Sequence, residues 1–128
     1  MQENHLFEYA VIRVVPRVER EEFLNTGIIL YCKDKKFLEA TIELNRERLN
    51  AIGGYAAVQE LEDHLLGFQK ICRGEVSAGP IAKLDAASRF RWLTAARSTV
   101  VQTSKVHAGF SKDPLETLKR LHRELVQY

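Results

Sequence analysis

The hydrophobic pattern of the N-terminal third predicts a small antiparallel sheet. Residues 7–15 (FEYAVIRVV) are apolar at both alternating sets of positions, which is typical of a strand covered on both faces. Pro16 follows and ends this strand, because proline cannot donate a hydrogen bond to the ladder. Residues 28–32 predict a second strand. Residues 37–44 alternate between apolar and polar side chains, so we expect a half-exposed third strand in a hairpin with the second.

The connection between the first two strands is short. Residues 18–24 predict a short helix or helical turn, and the turn-forming residues Asn25, Thr26 and Gly27 predict its end. A parallel crossover needs a longer connection. We therefore expect the first two strands to be antiparallel.

The middle of the chain has the pattern of amphipathic helices. A short helix is predicted over residues 45–50, a long one over 55–72 and a third over 83–96. The glycine pair between the first two of these helices separates them. The apolar stripe of the long helix consists of Val58, Leu61, Leu65, Phe68 and Cys72.

The C-terminal quarter predicts a short strand over residues 98–103, a loop over 107–109 and a last helix. Asp113 is a suitable cap for that helix and Pro114 a suitable first residue. The predicted buried stripe consists of Leu115, Leu118, Leu121 and Leu125. The elements together predict a single α+β domain, in which a small antiparallel β-sheet is packed by amphipathic helices.

Composition predicts how many domains the chain forms and the compartment in which it is found. With 128 residues, 45% of them hydrophobic, the chain has the size and core of one folded domain. Its apolar runs are far shorter than the roughly 18 residues of a membrane-spanning helix, and Glu3 and Glu8 are unlike a secretion signal. Cys32 and Cys72 have no metal-type or redox-type spacing, which predicts two reduced thiols in the core. We expect a cytoplasmic protein that does not contact a membrane.

The positive charge is concentrated in residues 88–113, which contain five basic side chains and no acidic residue before Asp113. The formal charge of the chain, +2, would be −3 without those five, which are Arg89, Arg91, Arg97, Lys105 and Lys112. Such a local excess of charge is typical of an anion-binding or partner-binding segment.

Several side chains in this segment suit a bound phosphate. The arginine fork matches phosphate or carboxylate oxygens, and Ser98 and Thr99 add hydroxyls. His107 would titrate near neutral pH and could act as an acid or base, while Trp92 could stack on a base. The alternative is structural: the aromatic side chains fill the core and the arginines pair with glutamates such as Glu39 and Glu43 on the sheet.

Arg13 is the one charged residue inside the first predicted strand. Alternation places it on the same side as Tyr9, Val11 and Val15. A buried guanidinium needs a partner. A structural salt bridge with a glutamate, or a position near the strand end that reaches water, is favoured over a second interpretation, an anion ligand at the edge of the sheet.

Known catalytic and metal-binding motifs are missing from the sequence. There is no glycine-rich phosphate loop, no H-E-x-x-H and no G-x-S-x-G, and the four histidines have no ligand spacing. We therefore predict no metal and no cofactor.

Two long stretches carry a resemblance, YAVIRVVPRVEREEFLNTGIILY (residues 9–31) and RFRWLTAARSTVVQTSKVHAGFSKDP (residues 89–114). They resemble the bacterial domain-of-unknown-function family numbered 3037, and the resemblance covers essentially the whole chain. The matching positions are Arg13, Pro16, Glu22, Asn25, Gly27, Arg89, Phe90, Trp92, Leu93, Arg97, Ser98, Thr99, His107, Gly109, Asp113 and Pro114.

That resemblance implies a role but no reaction. The family has no established activity, and its members are often encoded beside HipA-like kinases, which implies a partner or accessory role. Our first hypothesis is a binding or regulatory module that docks a protein, possibly such a kinase, through residues 89–107. The second is a phosphate-handling enzyme, such as a nuclease or nucleotide hydrolase, with Arg89 and Arg97 as clamps and His107 as acid/base. The third is a nucleic-acid-binding accessory, whose affinity would fall steeply with salt.

Overall fold

A five-stranded antiparallel sheet forms the centre of the fold in the computed structural model, which describes residues 3–127. The strands are β1 (His5–Val14), β2 (Leu24–Cys32), β3 (Phe37–Ile42), β4 (Val101–Thr103) and β5 (His107–Ser111). The order is β3-β2-β1-β4, and β5 pairs with the first half of β1 on the same side as β4. β4 and β5 therefore share one edge of the sheet.

Helices cover both faces of this sheet. They are α1 (Arg46–Ala51), α2 (Val58–Arg73), α3 (Ala86–Leu93) and α4 (Pro114–Leu125). Short 3₁₀ turns occupy Val18–Arg20, Tyr55–Ala57, Val76–Ala78 and Pro80–Lys83. Among residues 3–127, no helix is long and apolar enough to cross a bilayer. The predicted α+β fold is confirmed.

Alternation along β1 produces two separate cores. Ala10, Ile12 and Val14 pack under α2 and α3, in a cluster that also contains Phe90 of α3. Phe7 and Val11 point the other way and pack under α4. This confirms that the first strand is covered on both faces. The face packed by α2 and α3 is called the α2/α3 face below, and the other the α4 face.

The expected stop at residues 25–27 is wrong, because these residues belong to β2. Ile12 pairs with Gly27 and Arg13 with Asn25, so Thr26 is an extra, bulged residue. Gly27 is required here, since a Cβ at this position would lie 1.9 Å from the Thr41 carbonyl oxygen. Residues 25–27, which favour turns, therefore form a bulge inside β2.

Other boundaries also differ from the predictions. The helix expected over residues 18–24 is only the 3₁₀ turn Val18–Arg20, and the strand expected over 98–103 is reduced to β4. The loop expected at 107–109 is the start of β5, so two strands follow α3 instead of one. Leu115, placed in the buried stripe of the last helix, is 45% exposed because it lies in the first turn of α4, outside the core cluster.

Candidate functional site

A groove of about 390 Å³ opens on the α2/α3 face, between α2, the end of α3 and β4. Phe68 of α2, Leu93 of α3 and Val101 of β4 are buried and form its apolar floor. Trp92 and Arg97 stand at its rim. The volume lies within the range of clefts that hold small ligands or the anchoring side chains of a partner.

A glycine on α2 keeps the groove open. Gly67 lines it, and a Cβ built at this position meets no atom within 4 Å. Asp63 and His64, one turn earlier, are exposed and also line the groove. Glycine inside a helix costs about 1 kcal/mol relative to alanine, so this position departs from helix preference at the wall of the groove.

The rim of the groove is a cation–aromatic pair. The Arg97 guanidinium carbon lies 4.2 Å from the centroid of the Trp92 ring, and Arg97 also donates a hydrogen bond to the Trp92 carbonyl. Trp92 is 39% exposed. Within the described residues, no carboxylate forms an ion pair with Arg97. The pair therefore places a positive charge, stacked on an aromatic ring, at the edge of the groove.

Hydrogen bonds hold the loop that carries this pair against β4. The Thr99 hydroxyl donates to the Val101 carbonyl at 2.6 Å, and the Gln102 amide donates to the Thr99 carbonyl at 2.8 Å. The Thr103 hydroxyl donates to the Thr94 carbonyl at 3.4 Å. These hydrogen bonds tie the loop to the β4 wall of the groove.

Two residues of the predicted site lie in a different place. Arg13 and Ser98 line a smaller cavity of about 150 Å³. Arg13 pairs with Gln102 across the sheet and by alternation faces the same side as Val11, the α4 face. The larger groove contains neither Arg13 nor Ser98, although Gln102 of β4 lines both cavities.

Arg89 and Arg91 do not line the groove and bond to other parts of the chain. Arg89 donates to the Leu84 carbonyl at 2.6 Å, and its buried Nε has no partner among the described residues. Arg91 makes two hydrogen bonds to the Glu8 carboxylate, at 2.9 and 2.7 Å, and the contact raises the pKa of the guanidinium. The partner of Arg91 is thus a β1 glutamate and not Glu39 or Glu43, the pairs that the structural interpretation expected.

His107 is separated from the arginines of the groove. It stacks on Tyr9 with ring centroids 5.2 Å apart, and Tyr9 packs against the core under α4. Arg97 belongs to the opposite face. The structure therefore brings together Trp92, Arg97 and Thr99, and it leaves His107 outside this group.

Nearly the whole chain matches one protein-family model. A family model described as "Protein of unknown function (DUF3037)" matches residues 9–126. The chain belongs to the DUF3037 family. The match confirms the resemblance, and both the groove and the cavity at Arg13 lie within the matched residues. Neither the curated proteins nor the solved structures contain a match to this DUF3037 chain.

This DUF3037 chain also contains a hydroxyl–imidazole–carboxylate arrangement that the sequence did not predict. The Thr41 hydroxyl lies 2.7 Å from His122 Nδ1, and His122 Nε2 lies 3.2 Å from the Glu43 carboxylate. The same hydroxyl accepts a hydrogen bond from the Ile28 amide at 3.0 Å. The arrangement links α4 to β3.

The α2 half of the groove was also missed. Gly67, Asp63 and His64 lie far from the basic segment in sequence and meet it only through tertiary packing. The signal that was available is Gly67 itself, a glycine in the middle of a helical pattern. Among the described residues, no group of three or more histidine, cysteine, aspartate or glutamate side chains is placed to hold a metal ion.

Proposed function

We propose that this member of the DUF3037 family is a cytoplasmic, bacterial binding module, which docks a segment of a partner protein in the groove between α2 and β4. The observation that carries the proposal is the exposed Trp92–Arg97 pair above an apolar floor. Tryptophan and arginine are the residue types that most often dominate binding energy at protein interfaces.

The chemistry of the groove defines the segment that it would accept. The buried floor suits one apolar or aromatic side chain, and the groove above it is large enough to hold that side chain. Arg97 has no carboxylate partner among residues 3–127, so an acidic residue next to the apolar anchor would neutralise it. We therefore expect a partner segment with an apolar residue beside an aspartate or glutamate.

The cytoplasmic assignment is supported by the cysteines. Cys32 and Cys72 are both free and buried, and burial raises the pKa of the Cys72 thiol to about 12. Buried, protonated thiols are unreactive and are usual in a reducing compartment.

A HipA-like kinase is the first partner to test, because the family resemblance implies one. The kinase would be co-expressed with tagged wild-type protein and with two variants, Gly67→Leu, which fills the groove, and Leu66→Ala, which removes the 51%-exposed neighbouring side chain. Recovery of the kinase with wild type and Leu66→Ala, but not with Gly67→Leu, is the predicted result. Equal recovery with Gly67→Leu would contradict the site, and no recovery with wild type would contradict this partner.

A further inference from the structure

We propose that the cavity on the α4 face of β4, named here the Arg13 niche, is a carboxylate-binding site. It holds about 150 Å³ and is lined chiefly by Arg13, Glu21, Phe23, Ser98 and Gln102. The inference does not depend on the groove, because Arg13, Phe23 and Ser98 line only the niche, although Gln102 borders both cavities.

Arg13 lines the niche with part of its guanidinium unpaired. Its Nε is buried and has no hydrogen-bond partner, and its guanidinium forms no ion pair within residues 3–127. Phe23 lies flat beneath it, with the guanidinium carbon 4.1 Å from the ring centroid. Burial lowers the pKa of the guanidinium. A partly desolvated charge gains more from a charged partner than a fully exposed one does.

Two further donors face the same space. The Ser98 hydroxyl is exposed and forms no hydrogen bond with the described residues. Gln102 lies directly across from Arg13 in the β1–β4 pairing, and its amide nitrogen, which donates to the Thr99 carbonyl, carries a second hydrogen. A planar anion bound to the arginine fork would meet these donors at its edge.

The rim of the niche favours a carboxylate over a phosphate. Glu21 is exposed and lines the cavity, so its negative charge opposes any bound anion. A phosphate carries about −1.5 to −2 near neutral pH, whereas a carboxylate carries −1 and suits a single guanidinium. The exposed ring of Phe23 offers an apolar surface to the carbon that bears the carboxylate. The ligand is thus either a free organic acid or a carboxylate of a polypeptide.

The test is a titration followed by ¹H–¹⁵N NMR, since the Arg13 Nε–H signal reports on the niche directly. The probes are sodium acetate, acetyl-Gly-Leu with a free carboxyl terminus, the same dipeptide amide, and sodium phosphate, at constant ionic strength with chloride. We expect saturable shifts of the Arg13 Nε–H and of the Gln102 side-chain amide with acetate, with the free dipeptide, or with both. Which of the two binds more tightly identifies a small acid or a polypeptide as the source.

Two variants and one control complete the experiment. Arg13→Gln should abolish the shifts, and Glu21→Gln should tighten binding about twofold, the size expected for removing one well-solvated like charge. Arg17→Gln removes a nearby exposed arginine that pairs with Glu19 and should change nothing. The proposal is overturned if the shifts are absent or follow chloride equally, if they persist in Arg13→Gln, if the dipeptide amide binds as well as the acid, or if phosphate binds more tightly than either carboxylate.

Discussion

The Arg97 guanidinium lies over the Trp92 ring, 4.2 Å from its centroid, at the open rim of a groove. Arg97 lies five positions after Trp92 in sequence, and a hydrogen bond from Arg97 to the Trp92 carbonyl closes the turn after α3. Trp92 is the only tryptophan of the chain. Its fluorescence therefore reports on this rim alone.

Arg97→Ala should expose the Trp92 ring without unfolding the protein. An exposed cation–aromatic contact contributes about 0.5–1 kcal/mol, so the free energy of unfolding should fall by no more than roughly that amount. Quenching of tryptophan fluorescence by acrylamide should increase. Arg91→Ala removes the adjacent arginine, which bonds to Glu8 and does not stack on this ring; it serves as the control and should leave quenching unchanged. Unaltered quenching in Arg97→Ala would mean that the stack does not persist in solution.

Gly67→Ala should stabilise the protein by about 1 kcal/mol. The position is helical and a Cβ there meets nothing within 4 Å, so alanine gains helix propensity without a clash. Gly53→Ala is the matched control: it too has open space, but its φ of +80° is unfavourable for alanine, so stability should fall. Urea unfolding of both variants measures the difference. A destabilised Gly67→Ala would show that the wall of the groove is packed more tightly than described.

Neighbouring aromatic residues on α3 should differ sharply in their contribution to stability. Phe90 is fully buried and packs on Tyr31, with ring centroids 5.5 Å apart, so Phe90→Ala should cost about 3–5 kcal/mol. Trp92→Ala removes a ring that is 39% exposed and should cost markedly less. Thermal or urea unfolding compares the two. Similar losses would mean that Trp92 belongs to the core and would argue against its role as a binding residue.

The link between α4 and β3 should make stability depend on acid pH. Hydrogen bonds from Gln127 and His122 lower the pKa of the Glu43 carboxyl below its ordinary value. In acid the unfolded chain therefore takes up this proton first, so the stabilisation is present above the unfolded pKa of about 4.3 and is lost as pH falls through the lower folded value.

Comparison of wild type with Glu43→Gln measures this effect. The difference in urea midpoint should be full at pH 7 and should shrink below about pH 4.3. Glu39→Gln, which changes an exposed carboxylate on β3, is the control for general charge effects. A difference that stays constant down to pH 2 would contradict the assignment of the lowered pKa to Glu43.

Much of the fold follows from local pattern. The two-sided apolar run of β1 and the clean alternation of β3 predict these strands, and the cap at Asp113 predicts α4. β5 was missed because His107–Ser111 has no run of β-branched residues. It is a strand because it pairs with β1, and Gly109 permits this: a Cβ there would lie 2.8 Å from the Phe7 ring.

Only part of the candidate site could be predicted from the sequence. Trp92 and Arg97 were predicted as binding residues, and both reach the groove because they are close together in the chain. Whether another predicted site residue lies near these two depends on how the strands of the sheet pair. Alternation along neighbouring strands sends Arg13 and His107 to the α4 face, and no local pattern reveals which strand becomes the edge.

Photo-crosslinking is the most direct test of the binding groove. A benzoylphenylalanine replaces Trp92 at the rim, or Leu115 on the exposed side of α4, and each protein is irradiated with the co-expressed HipA-like kinase. We expect a crosslink from position 92 only, and we expect it to disappear when Gly67→Leu is added. The crosslinked segment of the kinase should contain an apolar residue beside an acidic one. A crosslink from position 115 alone, or one from 92 that survives Gly67→Leu, would contradict the groove as the binding site.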